Sequence, residues 1–171
     1  MSADLNVRMK VRRNRIIEDG ISQISNLSPV LLKSTMRVVF VNEFGLNEAG
    51  IDQDGVFKEF LLDVIKKILN PQFNLFQITS EQQLYPSSCS YFIEDHLRMF
   101  EFVGKLIGKA IYEGHVIDVE FAPFFLRQII GTSNQTSNYS FLDDLASLDK
   151  GNSFNNEPIN ILFGDSFFLI Y

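Results

Sequence analysis

The sequence predicts a mostly α-helical fold with a minor β component, an α+β chain, and three observations carry that expectation. Residues 91–114 place apolar or small side chains at Ile93, Leu97, Phe100, Gly104, Ile107 and Ile111, a 4-3-4-3-4 spacing that draws one stripe along a helix. Segments 14–28 and 56–69 repeat the same period. One run, 37–41, has the β-branched and aromatic content of a strand. With 171 residues, 46% of them hydrophobic and 21% charged, the chain is long enough for one ordinary soluble domain with a substantial core.

The opening is basic, with Arg8, Lys10, Arg12, Arg13 and Arg15. Val7, Met9 and Val11 alternate with those charges and Ile16 and Ile17 follow them. That fits the edge of a folded domain along which basic side chains snorkel better than it fits an import signal or a phosphate patch. From 14 to 28, Ile16, Ile17, Gly20, Ile21, Ile24 and Leu27 suit an amphipathic helix, with Glu18 and Asp19 on its early turns, and Pro29 is expected to end it. A short second helix over 31–36 and a strand from Arg37 to Val41 follow.

The connection 42–55 is dense in glycine and acid, and Asp54 is expected to cap the next helix. That helix, 56–69, turns Val56, Phe57, Phe60, Leu61, Val64, Ile65, Ile68 and Leu69 inward, and Asn70-Pro71 closes it. Phe73, Leu75, Phe76 and Ile78 form a short, extended apolar run. A loop over 79–90 follows, with a turn at Tyr85-Pro86-Ser87-Ser88.

In the central helix Met99, Phe102, Val103, Leu106 and Ala110 add a second stripe. Only a narrow line through Glu94, Arg98, Glu101, Lys105 and Tyr112 is left for water, so cover is expected on most sides. Gly104 and Gly108 lie one turn apart, which allows another backbone to approach, and Gly114 supplies the stop. Residues 115–121 lead through Pro123 into a short helix with Phe124, Phe125, Leu126, Ile129 and Ile130, ended by Gly131. Beyond it, 132–140 is polar, 141–148 suits a helical turn or two, and 152–158 is polar again. The end, 159–171, is apolar, β-prone and uncharged except for Asp165, an aggregation hazard unless packed.

A formal charge of −6 and a pI near 4.9 argue against nucleic acid as the main partner. No leader-like apolar run is present, and no stretch approaches the roughly 18 apolar residues that span a bilayer, so the expected location is cytoplasmic, with no membrane partner. The lone Cys89 fits a reducing compartment.

No pattern of catalytic, cofactor-binding or metal-binding residues emerges. Aligning Gly55 with the glycine of an EF-hand loop puts Asp54 and Asp52 in ligand positions. Gly50 and Leu61 then stand where the first aspartate and the bidentate glutamate belong, which excludes a calcium loop. Cys89 is the one thiol, and the histidines His96 and His115 lie well along the next helix and beyond its end, so no cysteine–histidine arrangement is evident. One cysteine and two scattered histidines do not make a zinc site, and no phosphate-binding glycine loop is present. Asp52/Asp54, Glu94/Asp95 and Asp143/Asp144 read as caps and solvated faces.

Four stretches together resemble the N-terminal lobe of HECT-type ubiquitin-protein ligases. They are Val11-Arg12-Arg13-Asn14 with Glu18-Asp19, the loop and helix start from Ala49 to Phe60 (AGIDQDGVFKEF), the helix from Phe100 to Gly114 (FEFVGKLIGKAIYEG), and Val116-Ile117-Asp118-Val119. Asp143-Asp144-Leu145 and Leu148-Asp149 fall where this lobe has an acidic marker, and the details are most similar to the branch with an IQ motif ahead of the HECT domain.

The resemblance runs from Val7 to Lys150 and implies a partial HECT domain over 1–150, the large subdomain of the N-terminal lobe. Residues 151–171 are then a poorly ordered tail outside the family pattern. For the full protein the resemblance implies ubiquitin transfer from a conjugating enzyme to substrate lysines through a cysteine thioester, with the conjugating enzyme and ubiquitin as partners. The match stops ahead of the conjugating-enzyme subdomain and the catalytic lobe, and Cys89 has no counterpart in the family's catalytic motif. The chain is therefore expected to be an inactive fragment, marginal in stability. The alternative is a non-catalytic interaction module that binds ubiquitin-pathway proteins and competes with the full-length ligase.

Overall fold

The computed structural model describes residues 6–42, 44–48 and 53–130. The expected stop at Gly131, the helical turns over 141–148, the boundary at Lys150 and the apolar end lie outside the described residues. Two compact units are present. One holds the described residues up to Ile68 together with Leu97–Ile117, and the other holds Leu69–His96 and the described residues from Asp118 onward.

In the first unit, strand β1 (Asn6–Arg12) runs parallel to β2 (Thr35–Val41), with Met9 opposite Val38 and Val11 opposite Phe40. Those four side chains are buried. The alternation at Val7, Met9 and Val11 is therefore the pleat of a strand that periodicity alone did not reveal, because it is half charged. Parallel strands need a long connection, and here helices α1 (Ile16–Ile24) and α2 (Pro29–Lys33) supply it.

Pro29 does not end the first helix. It opens the second, where a missing N–H costs nothing, and the Ser28 hydroxyl caps it by accepting from the Leu31 N–H at 3.4 Å. The second helix accordingly stops before Met36, which is a buried strand residue. Helix α3 (Gln53–Leu69) starts ahead of the expected Val56, so Asp54 stands inside its first turn and not at the cap. Its inward face is as expected, with Phe57, Phe60, Leu61, Val64, Ile65 and Ile68 all buried.

Helix α4 (His96–Tyr112) departs most from expectation. Asp95 has a φ of +54°, in the left-handed region, and residues 90–92 form a separate 3-10 turn, so the helix begins only at His96. Of the first stripe, Leu97 and Ile111 are 54% and 69% exposed. The buried face is the second stripe, Phe102, Val103, Leu106 and Ala110, together with Phe100, Gly104 and Lys109. The helix is thus covered along one face. Gly20 of α1 makes room for it: a Cβ there would stand 2.9 Å from Phe102 Cζ and 3.2 Å from Phe60 Cζ. Gly114, with a φ of +72°, follows the helix as expected.

In the second unit, Asn70 Oδ1 accepts from the Gln72 N–H at 2.9 Å and starts a 3-10 turn at Pro71–Phe73. Strands β3 (Phe76–Ile78) and β4 (Leu84–Pro86) then pair antiparallel, Ile78 opposite Leu84. Tyr85-Pro86 is therefore strand and not turn. The reversal lies earlier, where Thr79 Oγ1 accepts from the N–H groups of Glu81 and Gln83, each at 3.2 Å, and Gln82 takes a φ of +65°. Leu84 also donates to the Glu120 carbonyl (2.8 Å) and accepts from the Ala122 N–H (2.9 Å), which sets the start of α5 (Pro123–Ile130). Phe76, Phe121 and Phe125 meet at centroid distances of 5.6–6.3 Å in a core with Leu75, Leu84 and Ala122. Among the described residues no helix is long and apolar enough to cross a membrane.

Candidate functional site

Cys89 is exposed at the entry to the 3-10 turn Ser90–Phe92, where its N–H donates to Ser87 Oγ at 3.2 Å. The neighbouring Ser90 is buried, and its hydroxyl lies 3.2 Å from Nδ1 of His96. His115, in the first unit, places Nε2 3.3 Å from a Glu113 oxygen. Each imidazole is thus engaged locally, while at Cys89 the bonded group is the backbone N–H and not the thiol. Glu94 and Asp95 are exposed, while Asp52, Asp143 and Asp144 and the side chain of Asp54 lie outside the described part. Among the described residues no three His, Cys, Asp or Glu side chains gather as metal ligands.

The polar interactions that are built with care belong to the first unit, and they hold helix ends and strand ends. Lys105 and Lys109 follow Gly104 and Gly108 in a repeated Gly-Lys pair, so both amines rise from one side of α4. Lys105 Nζ donates to the carbonyl of Ser25, the residue that caps the C-terminus of α1, and pairs with Glu101 at 2.8 Å. Lys109 Nζ donates to the carbonyl of Ser34, which caps α2, at 2.8 Å and pairs with Glu113 at 2.7 Å. Carbonyls at a helix C-terminus have no intrahelical donor and carry the negative end of the helix dipole, so an ammonium is the group they take best.

Lys109 is only 4% exposed, with its amine between the rings of Phe57 and Tyr112 at 5.6 and 5.7 Å. Lys105 was expected on the water-facing line, but its side chain is only 18% exposed. The apolar stripes of the sequence give Lys109 no distinct place. The signal that marks it is the spacing: a lysine repeated at i, i+4 within a very apolar helix.

A second cluster gathers the basic opening. The Arg12 guanidinium grips Asp19 at 2.9 and 2.6 Å, and the Arg12 N–H donates to the same carboxylate at 2.9 Å. The hydrogen bonds from Arg12 hold the Asp19 carboxyl below its ordinary range, against partial burial that acts the other way. The Arg13 guanidinium carbon lies over the Phe40 ring, 4.0 Å from its centroid, and Arg13 donates to Glu59 at 2.7 Å and Glu48 at 2.8 Å, and those two carboxylates raise its affinity for its proton. Asn42 Oδ1 pins the turn that carries Glu48, accepting from the N–H groups of Phe44 and Leu46 at 3.0 and 2.9 Å. The described residues thus offer a braced scaffold.

The model of the HECT-domain (ubiquitin-transferase) family matches residues 62–161. The chain is 54% identical over 140 residues to Ubiquitin-protein ligase E3B of Homo sapiens, covering 81% of the chain and 13% of that relative. It is 43% identical over 143 residues to E3 ubiquitin-protein ligase UPL6 of Arabidopsis thaliana, 83% of the chain and 13% of the relative. To E3 ubiquitin-protein ligase HUL5 of Saccharomyces cerevisiae it is 36% identical over 140 residues, 81% of the chain and 15% of the relative. The chain therefore spans about an eighth of the length of the curated relatives it matches.

Proposed function

The chain belongs to the HECT-domain (ubiquitin-transferase) family, and we propose that it serves as the large subdomain of an N-terminal lobe in a thioester ubiquitin ligase. In that role it braces a conjugating-enzyme site and a catalytic cysteine that other parts of such a ligase supply. By itself it transfers no ubiquitin. In this reading residues 1–150 form the subdomain, and 151–171, into which the family match extends as far as residue 161, form a tail.

The observation that carries the proposal is the bracing of α4. Its two lysines close the ends of α1 and α2, while the one thiol sits exposed on a turn. Such a unit holds a shape and performs no chemistry. Ubiquitin transfer needs a thiolate accessible to a charged conjugating enzyme, a partner that deprotonates the incoming lysine, and movement between the two. The described residues hold a frame on which those parts can be mounted.

The test mixes the purified chain with activating enzyme, conjugating enzyme, ATP and ubiquitin. No reductant-sensitive ubiquitin adduct is expected. An adduct that disappears in Cys89→Ser would overturn the proposal. A complementary chimera replaces the matching segment of Ubiquitin-protein ligase E3B with this one, and retained transfer is the expected result.

A second reading is favoured by Leu97, Ile111 and Tyr112, exposed by more than half on α4. In it the chain is a non-catalytic module that binds ubiquitin-pathway proteins and competes with the longer ligase. Adding the chain in excess to a transfer reaction of E3B separates the two: inhibition that Ile111→Glu relieves supports competition, and no inhibition leaves the scaffold reading.

A further inference from the structure

We propose that the outer face of the β1–β2 sheet is a docking surface for an extended acidic polypeptide segment. This goes beyond the ubiquitin-ligase reading and does not depend on it. Five basic residues open the sequence; Arg15 lies beyond β1, and the structure divides the other four. Arg12 and Arg13 are consumed internally by Asp19, Glu48 and Glu59. Arg8 and Lys10 are not: both are exposed, and among the described residues neither forms an ion pair.

The parallel register sets Arg8 directly opposite Arg37 and Lys10 opposite Val39, on the face that points away from buried Met9, Val11, Val38 and Phe40. Like charges directly opposite on one sheet face repel and destabilise the pairing. Arg37 adds an independent sign. Its Nε is buried yet has no hydrogen-bond partner, one of two such side-chain atoms among the described residues, the other being Ser25 Oγ. A carboxylate laid across the face beside exposed Arg8 would offset the repulsion between Arg8 and Arg37.

The spacing selects the partner. Side chains two residues apart on a strand stand about 6.6 Å apart, and an extended peptide repeats its own side chains at that interval. Carboxylates at alternate positions would therefore fall in step with Arg8 and Lys10. The chain as a whole carries a charge of −6, so this patch is a local exception to its field and attracts acidic chains that the rest of the surface repels.

The test uses the 171-residue chain and a fluorescein-labelled peptide of alternating glutamate and serine, followed by anisotropy at low and at physiological salt. The peptide is expected to bind, more weakly as salt rises. Arg8→Gln/Lys10→Gln should weaken binding roughly tenfold, as expected for loss of charge pairs at a complementary surface. Lys58→Gln/Lys66→Gln, which removes the same charge from exposed positions of α3, should leave it unchanged. On the unaltered chain, amide resonances that shift on adding peptide should fall in β1 and β2. Equal weakening by both double variants, shifts elsewhere, or no binding would overturn the proposal. So would tighter binding of a single-stranded oligonucleotide or a phosphatidylserine vesicle at the same salt.

Discussion

Replacing Lys109 by methionine tests the bracing of α4 most directly. Methionine keeps the length and most of the volume of the lysine stem, so little cavity is created and the change is chiefly the loss of one charged donor. The Ser34 carbonyl then loses the ammonium that stood 2.8 Å away, in a site where the lysine side chain is only 2% exposed. A hydrogen bond to a charged group contributes about 1.5–3 kcal/mol, and a buried acceptor left unpaired forfeits that much. The ion pair to Glu113 adds little, roughly 0–1 kcal/mol, because that carboxylate reaches water at 26% exposure and also meets His115. Removing the charge relieves some desolvation, but the carbonyl stays in place, so the balance remains a loss of about 2 kcal/mol.

For a chain of this size that corresponds to a melting point lower by about 4–8 °C. In urea it corresponds to a midpoint lower by about 1 M, with an unchanged slope. Lys105→Met should cost less, because its amine is more exposed. The assay is paired urea and thermal denaturation of the chain and both variants, followed by helical circular dichroism. A Lys109→Met protein as stable as the parent, or a Lys105→Met protein equally destabilised, would show that the buried ammonium does not brace the helix ends.

Two further changes probe neighbouring parts of the same unit. Gly20→Ala places a methyl group 2.9 Å from Phe102 Cζ, and both rings it meets are fully buried. Overpacking of about 1–3 kcal/mol should outweigh the gain of about 1 kcal/mol in helix propensity and lower the urea midpoint, whereas a rise would mean the rings yield freely. The Arg12–Asp19 pair predicts a pH dependence. The folded Asp19 pKa lies below its ordinary 3.8, so as pH falls the unfolded chain takes up the proton first. Its contribution is full above about pH 4 and is lost as pH drops through the folded value. Asp19→Asn should therefore flatten the acid limb of a stability–pH profile measured by urea unfolding, and an unchanged limb would remove Asp19 from the account.

Much of the helical content could be read from periodicity. The inward face of α3 and the small residue at Gly20 follow from spacing alone, because a single apolar face suffices to define a helix orientation. The family was legible too, chiefly through the FEFVGKLIGKAIYEG stretch of α4 and the AGIDQDGVFKEF stretch at the start of α3. Long-range pairings were not. The strand β1 was hidden by the charges that alternate along it, and its identity depends on β2, which lies beyond two intervening helices. Tyr85-Pro86 resembled a turn because proline and serine favour turns locally, and the pairing of Leu84 with Ile78 overrode that preference.

The division within α4 makes the same point about tertiary context. The sequence alone determined that the stretch 91–114 carries a helix with two apolar stripes, since backbone hydrogen bonding and a 3.6-residue repeat are local properties, while its start at His96 was not legible. Which stripe is buried, and that Lys109 is buried with it, depended on two carbonyls at Ser25 and Ser34 that lie 80 and 75 residues away in the chain from their lysines. A lysine on a helix reads as solvated until a helix terminus comes to meet it. Only the tertiary structure brings the helix ends and the ammonium groups together, and the resulting loss of water decides the burial.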